Sequence, residues 1–438
     1  MRKWMVALIV LFLCSGCVGE LQVDDEIGQE LDHERSQSWM EEDVQLTLWS
    51  FYDSGWEYSI ADFTKRYSNV SIEVESFPYD SYADTYLQAL LYGNVPDIMV
   101  FESTHFSKFI DLEGLENLAE PPYTLTEYEQ DIDESFRAIG QSFNEQKIYG
   151  LTISASPIVT FYRPDILESF GYPTEPEALA EYMADPEQWL EMARTLKQDG
   201  RWMMQWVTEI VDLTAKDIGL FDQEMNFIRM DQDIKEVIEL AKVIQQEGLS
   251  PGYNLYESNG QDALRDDRFA MFYQGSWGEY QIGDIAPEQE GKWKATRLPL
   301  DVYALDSSTI LAIPSASENK QAAWAFMEYV AFEHSMHGTY GVVPSYIPAQ
   351  EVPETLEQQS EILGGQQVQR LYLDIMENIE MPRLTPIDEQ AERIWHDYLG
   401  QGVAWDIDSE EIMEEIRMRV EDELSREISI LRRHANLD

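Results

Sequence analysis

Two α/β units on one chain are predicted, on three observations. Strand-like and helix-like patterns alternate from Val44 to Phe101. A second helical stripe follows at Ile234, Val237, Ile238, Ala241 and Ile244. The 438 residues, less a short leader, also fit two domains better than one. In the first stretch Val44, Leu46 and Leu48 alternate with polar residues, as in a half-buried strand. Ser54 followed by Glu57 predicts a capping box, and Trp56, Ile60, Phe63 and Tyr67 give the next helix one apolar face. Val70, Ile72 and Val74 alternate as a second strand, and a helix from about Tyr82 to Tyr92 stops at Gly93, the residue type that tolerates a left-handed helix end. Asp97 to Phe101 is a short apolar run, as expected of a strand covered on both faces. Strand, helix, strand, helix, strand is the unit of a doubly wound parallel sheet, whose ligands gather beyond the carboxyl ends of the strands. Trp49 to Asp53 and Glu102 to Ser103 therefore converge on one crevice.

The amino terminus has the order of an export signal. Arg2 and Lys3 precede an apolar run from Trp4 to Leu13, far shorter than the ~20 residues a membrane-spanning helix needs. Leu13-Cys14-Ser15-Gly16-Cys17 resembles a lipobox with Cys17 as the acylated residue, although Cys14 stands where a branched apolar residue is usual. Both cysteines of the chain lie in this leader, so the mature protein has no disulfide and no thiol chemistry. Residues 18–43 are acidic and polar and predict a flexible tether between membrane and domain.

The formal charge of −53 excludes nucleic acid and a bare anionic membrane as partners by repulsion. Arginine outnumbers lysine, 19 to 11, which suits an alkaline or saline exterior. With 83 carboxylates, closely spaced acid pairs arise by chance, and a glycosidase cannot be inferred from them. No nucleophile elbow, phosphate loop, zinc-protease helix or dinucleotide glycine pattern occurs, and the six histidines show no metal spacing. Neither an enzyme, a metal nor a cofactor is expected.

Further segments carry a family resemblance. Arg268-Phe-Ala-Met-Phe-Tyr-Gln-Gly-Ser-Trp277 ends in a glycine-serine-tryptophan turn, and Gly93-Asn-Val-Pro-Asp97-Ile-Met-Val leads into the third strand. Ile148-Tyr-Gly-Leu-Thr-Ile-Ser-Ala-Ser156 and Ser307 to Pro314 read as two crossovers. Pro186-Glu-Gln-Trp189 opens a helix, and Gly341-Val-Val-Pro344 forms a turn. Together these resemble family-1 extracellular solute-binding proteins, the carbohydrate receptors of ABC importers. Thr152 departs from the family's proline, and Asp267-Arg268 from its Gly-Lys.

The resemblance implies a two-lobed periplasmic-binding-protein fold of type II, each lobe a mainly parallel sheet flanked by helices. Residues 44–150 with 308–346 form the first lobe and 153–305 with 350–438 the second. It further implies a monomeric lipoprotein on the extracellular face of the membrane that captures a sugar or oligosaccharide and passes it to permease subunits. Trp277 is the expected stacking ring. Trp49, Tyr52, Asp53, Glu102 and Ser103 would face it from the first lobe, and Ser156 and Trp206 from the second. Pro386 to Gln390, where the family often has an aromatic, offers none. His105 is nearby but reads as a surface or core residue. The alternatives are a secreted lyase or glycosidase, or a receptor for glycerol phosphate or a polyamine, with Arg163, Arg297 or Arg383 as anion partners.

Overall fold

The computed structural model describes residues 38–337, 341–379 and 383–434. The leader, Cys17 and residues 18–37 of the expected tether lie outside the described residues. Eight strands are described: β1 (Val44–Ser50), β2 (Val70–Ser76), β3 (Ile98–Glu102), β4 (Leu151–Tyr162), β5 (Met271–Gly275), β6 (Lys294–Thr296), β7 (Leu305–Ala312) and β8 (Val343–Pro344). Their order is β2-β1-β3-β7-β4-β5, with β6 and β8 also pairing β4.

The first half is wound as the sequence predicts. β1 runs parallel to β2, with Val44 opposite Val70, and parallel to β3, with Leu48 opposite Ile98. α1 (Trp56–Arg66) and α2 (Tyr79–Tyr92) make the connections. α2 closes on Gly93 at φ 74°, where a side chain would be strained. The capping box forms only in part: Gly55, left-handed at φ 96°, is the cap, and its N–H donates to Glu57 Oε2 at 2.8 Å. Ser54 is left outside because the glycine makes the sharper entry.

Asp97 explains the Pro-Asp-Ile segment in structural terms. Its Oδ2 accepts the Thr47 N–H at 2.9 Å and its Oδ1 accepts the Ser317 hydroxyl at 2.7 Å. One buried carboxylate thus fixes β1, β3 and the chain's return. The helix that follows starts at Lys320 with Asn319 as its cap, and Ser317 Oγ accepts the Asn319 N–H at 3.1 Å.

β7 lies antiparallel between β3 and β4. β4 then continues into a second sheet, where Ile158 to Tyr162 pair antiparallel with β5 and Thr160 to Tyr162 with β6. Parallel winding therefore characterises the first half, while the pairings of the second half along β4 run antiparallel, because the crossover strand itself becomes a member of that sheet. Irregular register at Thr152/Ser154 and Ser156/Pro157 marks where β4 passes between the two.

Helices cover both halves. α3 (Pro186–Gln198) starts where Asp185 accepts the Glu187 and Gln188 N–H groups at 3.0 and 2.9 Å. α4 (Glu209–Ile218) and α5 (Gln232–Glu247) follow, and α5 buries Ile234, Val237, Ile238, Ala241 and Ile244 before Gly248 turns the chain at φ 59°. At the carboxyl end are α6 (Asp388–Ala404), α7 (Ser409–Glu423) and α8 (Ser425–His434). α7 buries Ile412, Ile416 and Val420 and is capped by Leu424, and α8 buries its own Ile428 and Leu431. The last residues of the expected tether also dock: Trp39 is buried, its ring 5.1 Å from Tyr67, and its carbonyl accepts Asn69 Nδ2 at 2.8 Å. An indole in an acidic segment has apolar surface enough to offset the ordering of its neighbours.

Candidate functional site

The carboxyl ends of β1 and β3, the amino end of β7 and the end of β5 meet along one line, which is where the sheet geometry places a ligand. From the first half come Phe51 and Tyr52, directly after β1. Ser50 Oγ accepts the Tyr52 N–H at 3.2 Å and Trp56 Nε1 at 3.3 Å, so the turn is pinned. The Tyr52 ring stacks on Trp56 with centroids 5.5 Å apart at 18°. Burial pushes its phenol well above the ordinary value, with a hydrogen bond to Thr309 acting in the opposite direction. Asp53 is exposed beside it. Trp49 is half-buried against Phe77 and Tyr86, at 4.9 and 5.6 Å.

Glu102 closes β3 and is 4% exposed. Its Oε1 accepts the Ser103 hydroxyl at 2.8 Å and the Thr104 N–H at 3.0 Å, and its Oε2 accepts the Tyr79 hydroxyl at 3.2 Å. Ser103 Oγ also accepts the Ser308 N–H at 3.0 Å, joining β3 to β7. These bonds hold the carboxylate at the end of the strand. His105 packs its ring against Tyr79 and Tyr82 at 5.1 and 5.2 Å, with Nδ1 3.8 Å from Glu389.

From the second half, Trp277 follows β5 and is half-buried; its Nε1 donates to Asp306 Oδ2 at 2.8 Å. Ser276 before it is fully buried, 2.8 Å from Ser156 Oγ and donating to the Gly341 carbonyl at 2.5 Å. Ser156 is thereby part of the frame under the tryptophan turn. Tyr256 stands 6.2 Å from the Trp277 ring, tilted at 42°, and accepts Gln274 Nε2 at 2.9 Å. Burial, and then the charge of Asp306, raises the Tyr256 phenol; burial followed by Glu102 raises Tyr79, with Asp306 a smaller contributor. Asp306 therefore acts electrically on rings from both halves. Lys216 of α4 donates to the Asp306 carbonyl at 3.4 Å. Trp206 donates its Nε1 to Asp212 at 2.7 Å, and Asp212 also meets His396 at 3.5 Å, which raises the imidazole pKa chiefly through that hydrogen bond.

Tyr79, Tyr256, Asp306, Lys216 and His396 were not picked out from the sequence. Asp306 stands one residue ahead of the second crossover, and its position at the head of a crossover strand is the signal that was available. The tyrosines sit in segments without a distinctive pattern. The three arginines suspected of holding an anion are committed elsewhere. Arg163 is buried between Asp165 and Asp267, Arg297 pairs with Glu177 at 2.6 Å, and Arg383 lies over the Phe143 ring at 4.4 Å. Among the described residues no cluster of three His, Cys, Asp or Glu has metal-binding geometry, and no helix is long and apolar enough to cross a membrane.

A family model described as bacterial extracellular solute-binding protein matches residues 59–360. Solved structures share the fold. The galacto-N-biose/lacto-N-biose I-binding protein of an ABC transporter from Bifidobacterium longum, solved with lacto-N-biose, aligns with a TM-score of 0.72 at 14% identity, over 87% of this chain and 97% of that one. An ABC-transporter-associated binding protein from B. animalis subsp. lactis, solved with beta-1,6-galactobiose, gives 0.70 at 16% identity, over 87% and 98%. The sugar-binding protein of the phytopathogen Xanthomonas citri gives 0.68 at 17%, over 88% and 99%. The fold of this chain is accordingly the two-lobed α/β fold of periplasmic binding proteins.

Proposed function

Since the chain belongs to the bacterial extracellular solute-binding proteins, we propose that it captures a sugar or oligosaccharide between its lobes and delivers it to the permease of an ABC importer. The observation that carries this reading is the half-buried Trp277 indole, held at the end of β5 with Tyr256 beside it. Sugars need a flat apolar surface for their CH faces and fixed polar groups for their hydroxyls, and an unpaired desolvated hydroxyl costs about 1–3 kcal/mol. Trp277, Tyr52 and Trp206 supply rings in this reading, while Asp53 and Glu102 supply acceptors. Trp49, Ser103 and Ser156 complete the site, the two serines by holding its strands in place.

Residues 44–150 with 308–346 make one lobe and 153–305 with 350–438 the other. Ligand bridging both gains contacts that the open form lacks, and closure follows from that difference in affinity. No bond of the ligand breaks, and the protein works as a monomer without metal or cofactor, tethered to the outer face of the membrane through lipid on Cys17. An anion such as glycerol phosphate is disfavoured, because Arg163, Arg297 and Arg383 already face carboxylates or an aromatic ring.

The test is a thermal-shift panel of neutral oligosaccharides, glycerol phosphates and polyamines. A ligand at 100-fold its Kd adds about 2.7 kcal/mol to folding stability. A rise in Tm with oligosaccharides supports the reading; a rise with phosphates or polyamines alone overturns it. Cleavage of any oligosaccharide during the assay also overturns it.

A further inference from the structure

We propose that Asp306 is a positioning residue for Trp277: it takes up the indole N–H, so that the ring offers the ligand a fixed apolar face and no hydrogen-bond donor. This rests on the capture reading above only for what the ring is used for. The pose itself follows from the structure.

Asp306 is the second residue of β7 and Trp277 follows β5, so the two are brought together by different strands. The Nε1 to Oδ2 distance of 2.8 Å is that of a charge-assisted hydrogen bond, roughly twice as strong as a neutral one. The same oxygen accepts the Ser307 hydroxyl at 3.3 Å, which orients the carboxylate. The backbone before the indole is fixed independently, since Ser276 is tied to both Ser156 and Gly341.

Gly275 gives the decisive steric evidence. A Cβ there would lie 2.4 Å from Trp277 Nε1 and 2.8 Å from Asp306 Oδ2. The indole edge and the carboxylate therefore occupy the space a side chain would fill, and the pose requires glycine. Without the acceptor, a tryptophan at a cleft margin is free to choose among staggered rotamers and must be ordered by the ligand at a cost in affinity. Holding the ring beforehand removes that cost. It also sets selectivity: with its only donor already engaged, the indole favours solutes that present CH faces over those that need a donor at this point.

The experiment uses the mature chain with 15N-labelled tryptophan indoles. Of the 11 tryptophan resonances that remain once Trp4 has gone with the leader, that of Trp277 is the one lost in Trp277→Phe. Asp306→Ala is expected to move this resonance and to speed its exchange with solvent by about tenfold or more, as loss of a charge-assisted bond requires. Asp306→Asn, whose amide oxygen still accepts, is expected to keep the resonance near its original place. An unmoved resonance in Asp306→Ala overturns the proposal, and this readout needs no ligand. If no sugar binds the unaltered protein, the capture reading fails while the spectrum still decides the positioning. With an oligosaccharide that does bind, Asp306→Ala should lose about tenfold in affinity, and Asp306→Asn should recover most of it. Equal losses in the two variants overturn positioning in favour of a direct charged contact.

Discussion

Arg229 and Glu392 meet in a two-pronged ion pair, Nη1 to Oε2 at 2.8 Å and Nη2 to Oε1 at 2.6 Å, that fastens α6 to the loop ahead of α5. Arg229 is 3% exposed, donates Nε to the Gly219 carbonyl at 2.9 Å and lies 5.1 Å over the Trp395 ring. Burial, the largest single influence, works against the charge on Glu392, but Arg229 with the more distant His396 and Lys216 together bring the carboxyl pKa below its usual range. Glu392→Ala leaves the guanidinium buried without its counter-ion. It should lower stability by about 3 kcal/mol, read from the shift in a urea unfolding midpoint.

Trp277→Ala removes the proposed stacking face and should weaken oligosaccharide binding at least tenfold, about 1.4 kcal/mol, with the fold intact by circular dichroism. Gly275→Ala leaves the indole in the chain but displaces it from Asp306. Its affinity should fall between those of the unaltered protein and Trp277→Ala. Isothermal titration ranks the three.

Glu209, at the start of α4, is 2% exposed and accepts the Gln205 N–H at 2.6 Å and Gln205 Nε2 at 3.1 Å. Burial outweighs these bonds and pushes its pKa up to about 8. An unfolded glutamate titrates near 4.3, so between that value and about 8 the native state holds a proton that the unfolded chain has lost. The stability tied to this group is complete below the lower value and is lost as pH rises through the upper one. Glu209→Gln removes the titration, at the expense of one accepted bond at every pH. The stability difference between the two proteins should therefore change steadily from about pH 4.5 to 8 and level off on either side. A difference independent of pH in that window counts against a protonated Glu209.

Cys17→Ala removes the proposed acylation site and should move the protein from the membrane fraction to the medium or periplasm. Retention at the membrane in that variant excludes the lipid tether.

Much of the fold was legible because local chemistry and global architecture agree over the first sixty residues of the domain. Leu46 and Leu48 read as strand and are fully buried in β1; Gly93 and Gly248 read as helix ends and both adopt left-handed conformations. Where the reading slipped, a neighbour outside the local pattern decided. Gly55 took the cap from Ser54, and Tyr67 drew Trp39 out of an acidic segment. The candidate site was legible only in part for the same reason. Trp277 stands in a recognisable turn, whereas its partners Asp306 and Tyr256 lie 29 residues later and 21 residues earlier, in segments that no periodicity marks.

One strand, β4, serves two sheets: its first half is bonded to β7 and β8, its second half to β5 and β6. Neither sheet can come apart without stripping partners from a ribbon the other still needs, so independent melting of the two halves is penalised at the ladder itself. Despite its divided outline, the molecule should lose structure in a single step, with tryptophan fluorescence and far-ultraviolet dichroism tracing one superimposable curve in denaturant.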